Sequence, residues 1–214
     1  MRAFHIALIF GILVFCASAD VIMQISAAER PFSGIGSSFD RSSGPSCSDG
    51  WRITGYFTPV ESDYTSTEMV DIDIRGLGKM SFNAEFIKVV FNDDEGYGEG
   101  WGKTRFGWYL GEYNGRWHKA DAPLDANDKP LEPDTVAVDN KLIPAGSVVS
   151  IPNLPGDLGK LEFKSNDVGV SVHGKHIDVY TGEGRDARRK MYRFTYEEDG
   201  KGLQRVCFSP AASH

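Results

Sequence analysis

The chain of 214 residues sets 23 basic against 30 acidic side chains, so its formal charge of -7 gives no global cationic field to attract DNA, RNA or anionic lipid. Hydrophobic residues at 41% and charged residues at 25% are ordinary for a globular protein, while 24 Gly and 10 Pro imply many turns; together they exclude a collagen, a coiled coil and a polytopic membrane protein.

Arg2, an apolar run over residues 3–16 and then Ala17-Ser18-Ala19 read as a secretory signal peptide, residues 1–19, cleaved after Ala19. An uncleaved anchor is the other reading, but the run is shorter than the roughly 20 residues that cross a bilayer. Bulky Phe15 before Cys16 disfavours lipid attachment. Cleavage would leave no stable membrane span, a charge of -8 from 30 acidic against 22 basic residues, and two cysteines. In an oxidising periplasm or outside the cell, Cys47 and Cys207 can form a disulfide that closes almost the whole domain; two free thiols are the alternative.

Residues 20–50, dense in Ser, Gly and Pro from Ser33 onward, read as a flexible linker, with the folded domain at 51–208 and a tail at 209–214. Residues 51–57 alternate as a strand and stop before Pro59. Residues 65–133 read as an inserted region of loops and helix. Within it Phe82, Phe86, Val89 and Val90 have helical spacing over 81–91, with Ser81 or Asn83 as cap. After Pro133 the pattern is β, with strands expected at 135–138, 147–151, 160–163, 169–172, 177–180, 192–195 and 203–207, and a helical turn or two at 186–191. The class is mainly β, and the turn spacing suits a sandwich or barrel.

Asp139, Asp167 and Asp178 each close a predicted strand beside a turn. Single aspartates at such positions commonly cap turns; three together suggest a site. The segments that hold them are Val136-Ala-Val-Asp139-Asn-Lys-Leu-Ile143-Pro144, Asp167-Val-Gly169 and Gly174-Lys-His-Ile-Asp178-Val-Tyr180. They resemble the three-aspartate (3D) domain of bacterial murein transglycosylases. Thr54-Gly55-Tyr56-Phe57-Thr58-Pro59 is similar to the strand that opens the catalytic barrel of the membrane-bound lytic murein transglycosylase A family.

The resemblance implies a six-stranded double-psi β-barrel that cleaves the bond between muramic acid and glucosamine in peptidoglycan without water, leaving anhydromuramic ends. By motif position Asp178 is then the acid/base, Asp167 its supporting carboxylate and Asp139 the first of the trio. One acid suffices because the sugar's own hydroxymethyl oxygen attacks the anomeric carbon. Such an acid must hold a proton near neutrality, raised by burial and by the charge of Asp167 or Asp139. His173 stands where the family usually carries Lys or Arg, which would make activity depend on pH.

Tyr56, Thr58, His173 and Lys175 are expected substrate contacts, joined by Trp101, Trp108 and Tyr109 of the insert. Those rings, with Tyr113 and Trp117, either stack on pyranose faces or pack a core. Glu95, Glu99 and Glu112 either accept from sugar hydroxyls or are solvated turn charges. His118, His173, His176 and His214 lack metal-ligand spacing, and no phosphate loop, dinucleotide fingerprint or Gly-x-Ser-x-Gly is present, so neither metal nor cofactor is expected. The expected partner is the peptidoglycan glycan strand, with the oligomeric state left open. A non-catalytic glycan-binding barrel is the competing class; ordinary hydrolysis is a third reading.

Overall fold

The computed structural model describes residues 44–92, 98–193 and 203–211. The expected signal peptide and all of the linker before residue 44 lie outside them. The folded unit contains two sheets, one a ring of six strands and the other a sheet of five inserted after the first strand.

The ring is built from β1 (Ser46–Thr58), β7 (Thr135–Val138), β8 (Val148–Ser150), β9 (Glu162–Asp167), β10 (His176–Glu183) and β11 (Gln204–Ser209). Each pairs with two neighbours in the order β1-β10-β7-β9-β8-β11, and β11 returns to β1. The long β1 makes the closure possible, lying antiparallel to β11 through its first half and parallel to β10 through its second. Alternation sorts its residues. Trp51 and Ile53 of β1, Val136 and Val138 of β7, Ile177 and Val179 of β10, and Phe163 of β9 fill the interior. The intervening residues face outward.

The insert differs from the loops and helix expected for 65–133. It is a sheet of β2 (Met69–Ile74), β3 (Gly78–Asn83), β4 (Trp101–Lys103), β5 (Tyr109–Tyr113) and β6 (Arg116–Ala120), in the order β3-β2-β6-β5-β4, with one helix α1 (Ala84–Val90). Ile72, Ile74, Phe82, Phe86, Val90 and Leu110 form its own core. The expected helix is real but short, because Ser81 is spent in β3; Asn83 is the cap, its side chain accepting the Phe86 N–H at 3.2 Å. Strands β2 and β3 escaped the sequence reading because each has one wet face, and charged side chains dilute the apolar signal.

Three other differences matter. Strand β1 starts at Ser46, inside the stretch read as linker, since Cys47 and Ser48 pair with Cys207 and Val206 of β11. Cys47 and Cys207 are disulfide-bonded. Residues 169–172 are a turn rather than a strand: Val172 N–H returns to Gly169 C=O, and only Val172 is buried while Val170 is exposed. Tyr192 and Arg193 continue the turn after α2 (Gly184–Met191), and the rest of the strand expected at 192–195 lies outside the described residues. No helix among the described residues is long and apolar enough to cross a membrane.

Candidate active site

Four outward-facing positions lie abreast across the barrel wall. Thr54 of β1 pairs with Asp178 of β10, Asp178 with Ala137 of β7, and Ala137 with Asp167 of β9. Strict alternation from Phe163 would turn Asp167 into the barrel. A register irregularity in the β7–β9 pair, where Thr135 meets Lys164 but Ala137 meets Asp167, gives β9 one extra residue and brings Asp167 to the outer face.

Asp178 and Asp167 thus line one cavity of about 460 Å³, together with Tyr56, Ala137, Trp101, Glu99, Glu112 and the 168–172 turn. The inserted sheet supplies the opposite wall. Trp101 lies over Gly111 of the adjacent strand, where a β-carbon would fall 2.5 Å from the indole, so glycine is needed for the ring to lie against the sheet. Tyr113 stands 6.4 Å from Trp101 and stacks on His118 at 3.9 Å, giving a row of three rings.

Burial pushes the Asp178 carboxyl up to about 6; the Asp167 charge adds to the rise, and the Thr54 hydroxyl and Arg52 oppose it. Asp167 is also raised by burial, although it accepts the Tyr56 hydroxyl at 2.6 Å and the Val168 N–H at 2.9 Å, bonds that hold its charge. Thr54 Oγ1 is 2.8 Å from Asp178 Oδ1 and 2.8 Å from Nε2 of buried His176.

Asp139 is elsewhere. Its oxygens accept the Gly174 N–H at 2.8 Å and the Lys141 N–H at 3.0 Å, and these bonds pull its carboxyl below the ordinary value. It ties the turn that leads into β10 and lines no part of the cavity beside Asp178. Gly174 adopts a positive φ of 65° at that turn, which disfavours any residue with a β-carbon. The negative charge that raises Asp178 is that of Asp167.

The other expected contacts divide. Tyr56 and Trp101 line the cavity. Thr58 is buried and hydrogen-bonded to Tyr180 Oη at 2.8 Å. Trp108 packs edge-on against Phe82 and stacks with Phe106 on the insert's own core. Tyr109 donates to Glu183 at 2.6 Å, and Lys175 donates to the Asp49 carbonyl at 2.8 Å. His173 is exposed beside Asp139. Trp117 packs on the insert core, and Glu95 lies outside the described residues.

Glu99 is the residue whose importance spacing did not reveal. Gly98 touches the Val90 carbonyl so closely that no side chain fits there, and the Glu99 and Gly100 N–H groups bond to Val89 and Val90 at the end of α1. This clamp delivers Glu99 to the barrel, where its Oε2 accepts the Phe57 N–H at 2.9 Å. It lines the Asp178 cavity and a second one, of about 560 Å³, which Asp178 also lines. Burial pushes its carboxyl up to about 8, with the Asp178 charge contributing and the Phe57 bond and Arg188 opposing. No three His, Cys, Asp or Glu side chains converge as a metal site among the described residues.

Residues 134–193, which hold all three aspartates, match the family model of the 3D domain. That stretch of the chain is a 3D domain. No curated protein matches the chain. Among solved structures, E. coli MltA with bound chitohexaose is similar at 16% identity and a TM-score of 0.52, covering 76% of this chain and 72% of that one. LtgG of Burkholderia pseudomallei, a lytic transglycosylase, aligns at 16% identity and 0.42 over 77% and 73%. MltA from Neisseria gonorrhoeae aligns at 12% and 0.47 over 78% and 74%. The fold is MltA-like, with the 3D domain supplying four of the ring strands and the insert standing across from it.

Proposed function

We propose that this 3D-domain protein is an exported lytic transglycosylase that cleaves the glycosidic bond between N-acetylmuramic acid and N-acetylglucosamine without water. The observation that carries the reading is Asp178 itself, a carboxyl buried in a cleft beside a second carboxylate, with its proton affinity raised toward neutrality. A module that only bound polysaccharide would need an exposed row of rings and no such acid. The chitohexaose held by the MltA-like relative supports an amino-sugar chain as occupant of the cleft.

In this reading the six-strand ring is a double-psi barrel. Protonated Asp178 delivers its proton to the leaving glycosidic oxygen. Positive charge develops at the anomeric carbon, where the Asp167 carboxylate, held by Tyr56, stabilises it. The hydroxymethyl oxygen of the same sugar closes on that carbon, and Asp178, now a carboxylate, takes the hydroxyl proton and is restored. Trp101 and Tyr113 stack on sugar faces across the cleft.

Mass spectrometry of products from purified sacculi tests this directly. Anhydromuramic ends are expected, and Asp178→Asn should abolish their release. Reducing muramic ends would replace the reading with hydrolysis, and absence of any product with retained sacculus binding would replace it with a binding module.

A further inference from the structure

Asp178 has a second, less visible neighbour in the barrel wall. The Thr54 hydroxyl has a single hydrogen to donate. It stands between two acceptors, Asp178 Oδ1 and His176 Nε2, each at 2.8 Å. The other ring nitrogen of His176, Nδ1, lies 3.1 Å from the Ser171 carbonyl, which can only accept. Nδ1 therefore carries a hydrogen. Burial of His176 lowers its proton affinity, which favours the neutral ring with a bare Nε2.

With the His176 ring neutral, these facts leave one arrangement in which every group is satisfied. Thr54 gives its hydrogen to His176 Nε2, and Thr54 Oγ1 in turn receives a hydrogen from Asp178, which must then be protonated. If Asp178 loses its proton, its Oδ1 and His176 Nε2 compete for the single Thr54 hydrogen, and one of these acceptors goes without.

We propose that His176, by claiming the hydrogen of Thr54, holds the proton on Asp178 and so keeps the acid loaded. This rests on the reading of Asp178 as the acid, but it concerns a positioning residue that touches no sugar. The other groups facing the pair leave the competition in place. Asp178 is faced by Asp167 from β9, by Tyr56 and Arg52 from β1, by Glu99 from the segment before β4, and by Arg188 of α2, which lines the second cavity with it. His176 is faced by Arg52 and by His173 of the preceding turn. None of these supplies Thr54 with a second hydrogen.

The test is read by NMR in the intact protein and does not need turnover. In wild type at about pH 5, the nitrogen shifts of His176 should report hydrogen on Nδ1 and none on Nε2. In His176→Gln, whose amide can donate to Thr54 and free the threonine hydrogen for the carboxylate, the Asp178 carboxyl should titrate about one pH unit lower. Thr54→Ser should keep the wild-type midpoint. A hydrogen on Nε2 in wild type, or an unmoved Asp178 midpoint in folded His176→Gln, overturns the proposal. If the glutamine variant does not fold, the wild-type nitrogen shifts decide alone. Failure of the transglycosylase reading would appear separately, as absent anhydro products with these titrations unchanged.

Discussion

Asp178 and Asp167 flank Ala137 in a single row across the barrel wall, on strands that each pair with β7 and not with each other. The small methyl group between them is what leaves the two carboxylates facing a common space. Their surroundings differ: the phenol of Tyr56 favours charge on Asp167, while Asp178 is raised by burial to about 6.

The row predicts that Ala137→Leu blocks the site without unfolding the barrel, because the new side chain points out into the cavity rather than into the core. Turnover of sacculi should fall about a hundredfold, while the melting temperature shifts by roughly 5 °C or less. Calorimetry and product release on one preparation check both, and full activity in this variant would mean that the carboxylates do not share a substrate.

Glu99 predicts a pH signature in stability. Its carboxyl is raised from 4.5 to about 8, so burial is tolerated in the protonated form and opposed in the charged one. The contribution is present at acid pH and is lost as pH rises through about 8. Glu99→Gln should therefore melt with wild type near pH 4 and above it, by a few degrees, near pH 9 (about 3 °C or more). Melting curves across that range show whether the gap opens with pH.

Asp178 adds a limb to the activity profile. In the proposed mechanism the acid form is the working form, so activity should decline as pH rises through about 6, and Asp178 itself should lose its favourable contribution to stability between 3.8 and about 6. Initial rates on sacculi against pH, with melting curves beside them, give the two midpoints. Asn at 178 removes the stability step.

Glu61 ties the insert to the end of β1. This buried carboxylate accepts the Asn83 N–H at 3.0 Å, the Arg105 N–H at 2.8 Å and the Arg105 guanidinium. Removing it strands two backbone donors and a guanidinium, so Glu61→Ala should destabilise by about 3 kcal/mol. Urea unfolding measures the loss, and hydrogen exchange should place it in β3 and α1.

The disulfide predicts the largest single effect on stability. Cys47 and Cys207 face each other on β1 and β11, 160 positions apart in sequence. In the chain-entropy model a loop of that size contributes about 4 to 5 kcal/mol. Replacing both cysteines by serine should lower urea stability by that order, and reduction of wild type should reproduce the effect.

Much of the barrel was legible from local pattern. Strand 135–138 is β7 to the residue, because Val136 and Val138 alternate with Ala137 and Thr135. Asp178 sits between Ile177 and Val179, so outward placement follows from the same period of two. Asn83 was readable as a cap from its place before the apolar run. The aspartate motifs that carry the resemblance to murein transglycosylases fall within the 3D domain, and the Thr54–Pro59 motif lies before it, in β1 and the turn that follows.

Other features needed the folded chain. Alternation sends Asp167 inward, and only a slip in register against β7 brings it out beside Asp178. Asp139 shares their motif but caps a turn, a difference written in backbone hydrogen bonds. Glu99 looks like any turn glutamate until the end of α1 carries it against β1. The amino-acid order by itself set which residues alternate, turn and could ionise, since these depend on neighbours a few positions away. The tertiary structure alone decided which carboxyls lose water and meet, because desolvation and strand register are properties of segments brought together from distant parts of the chain.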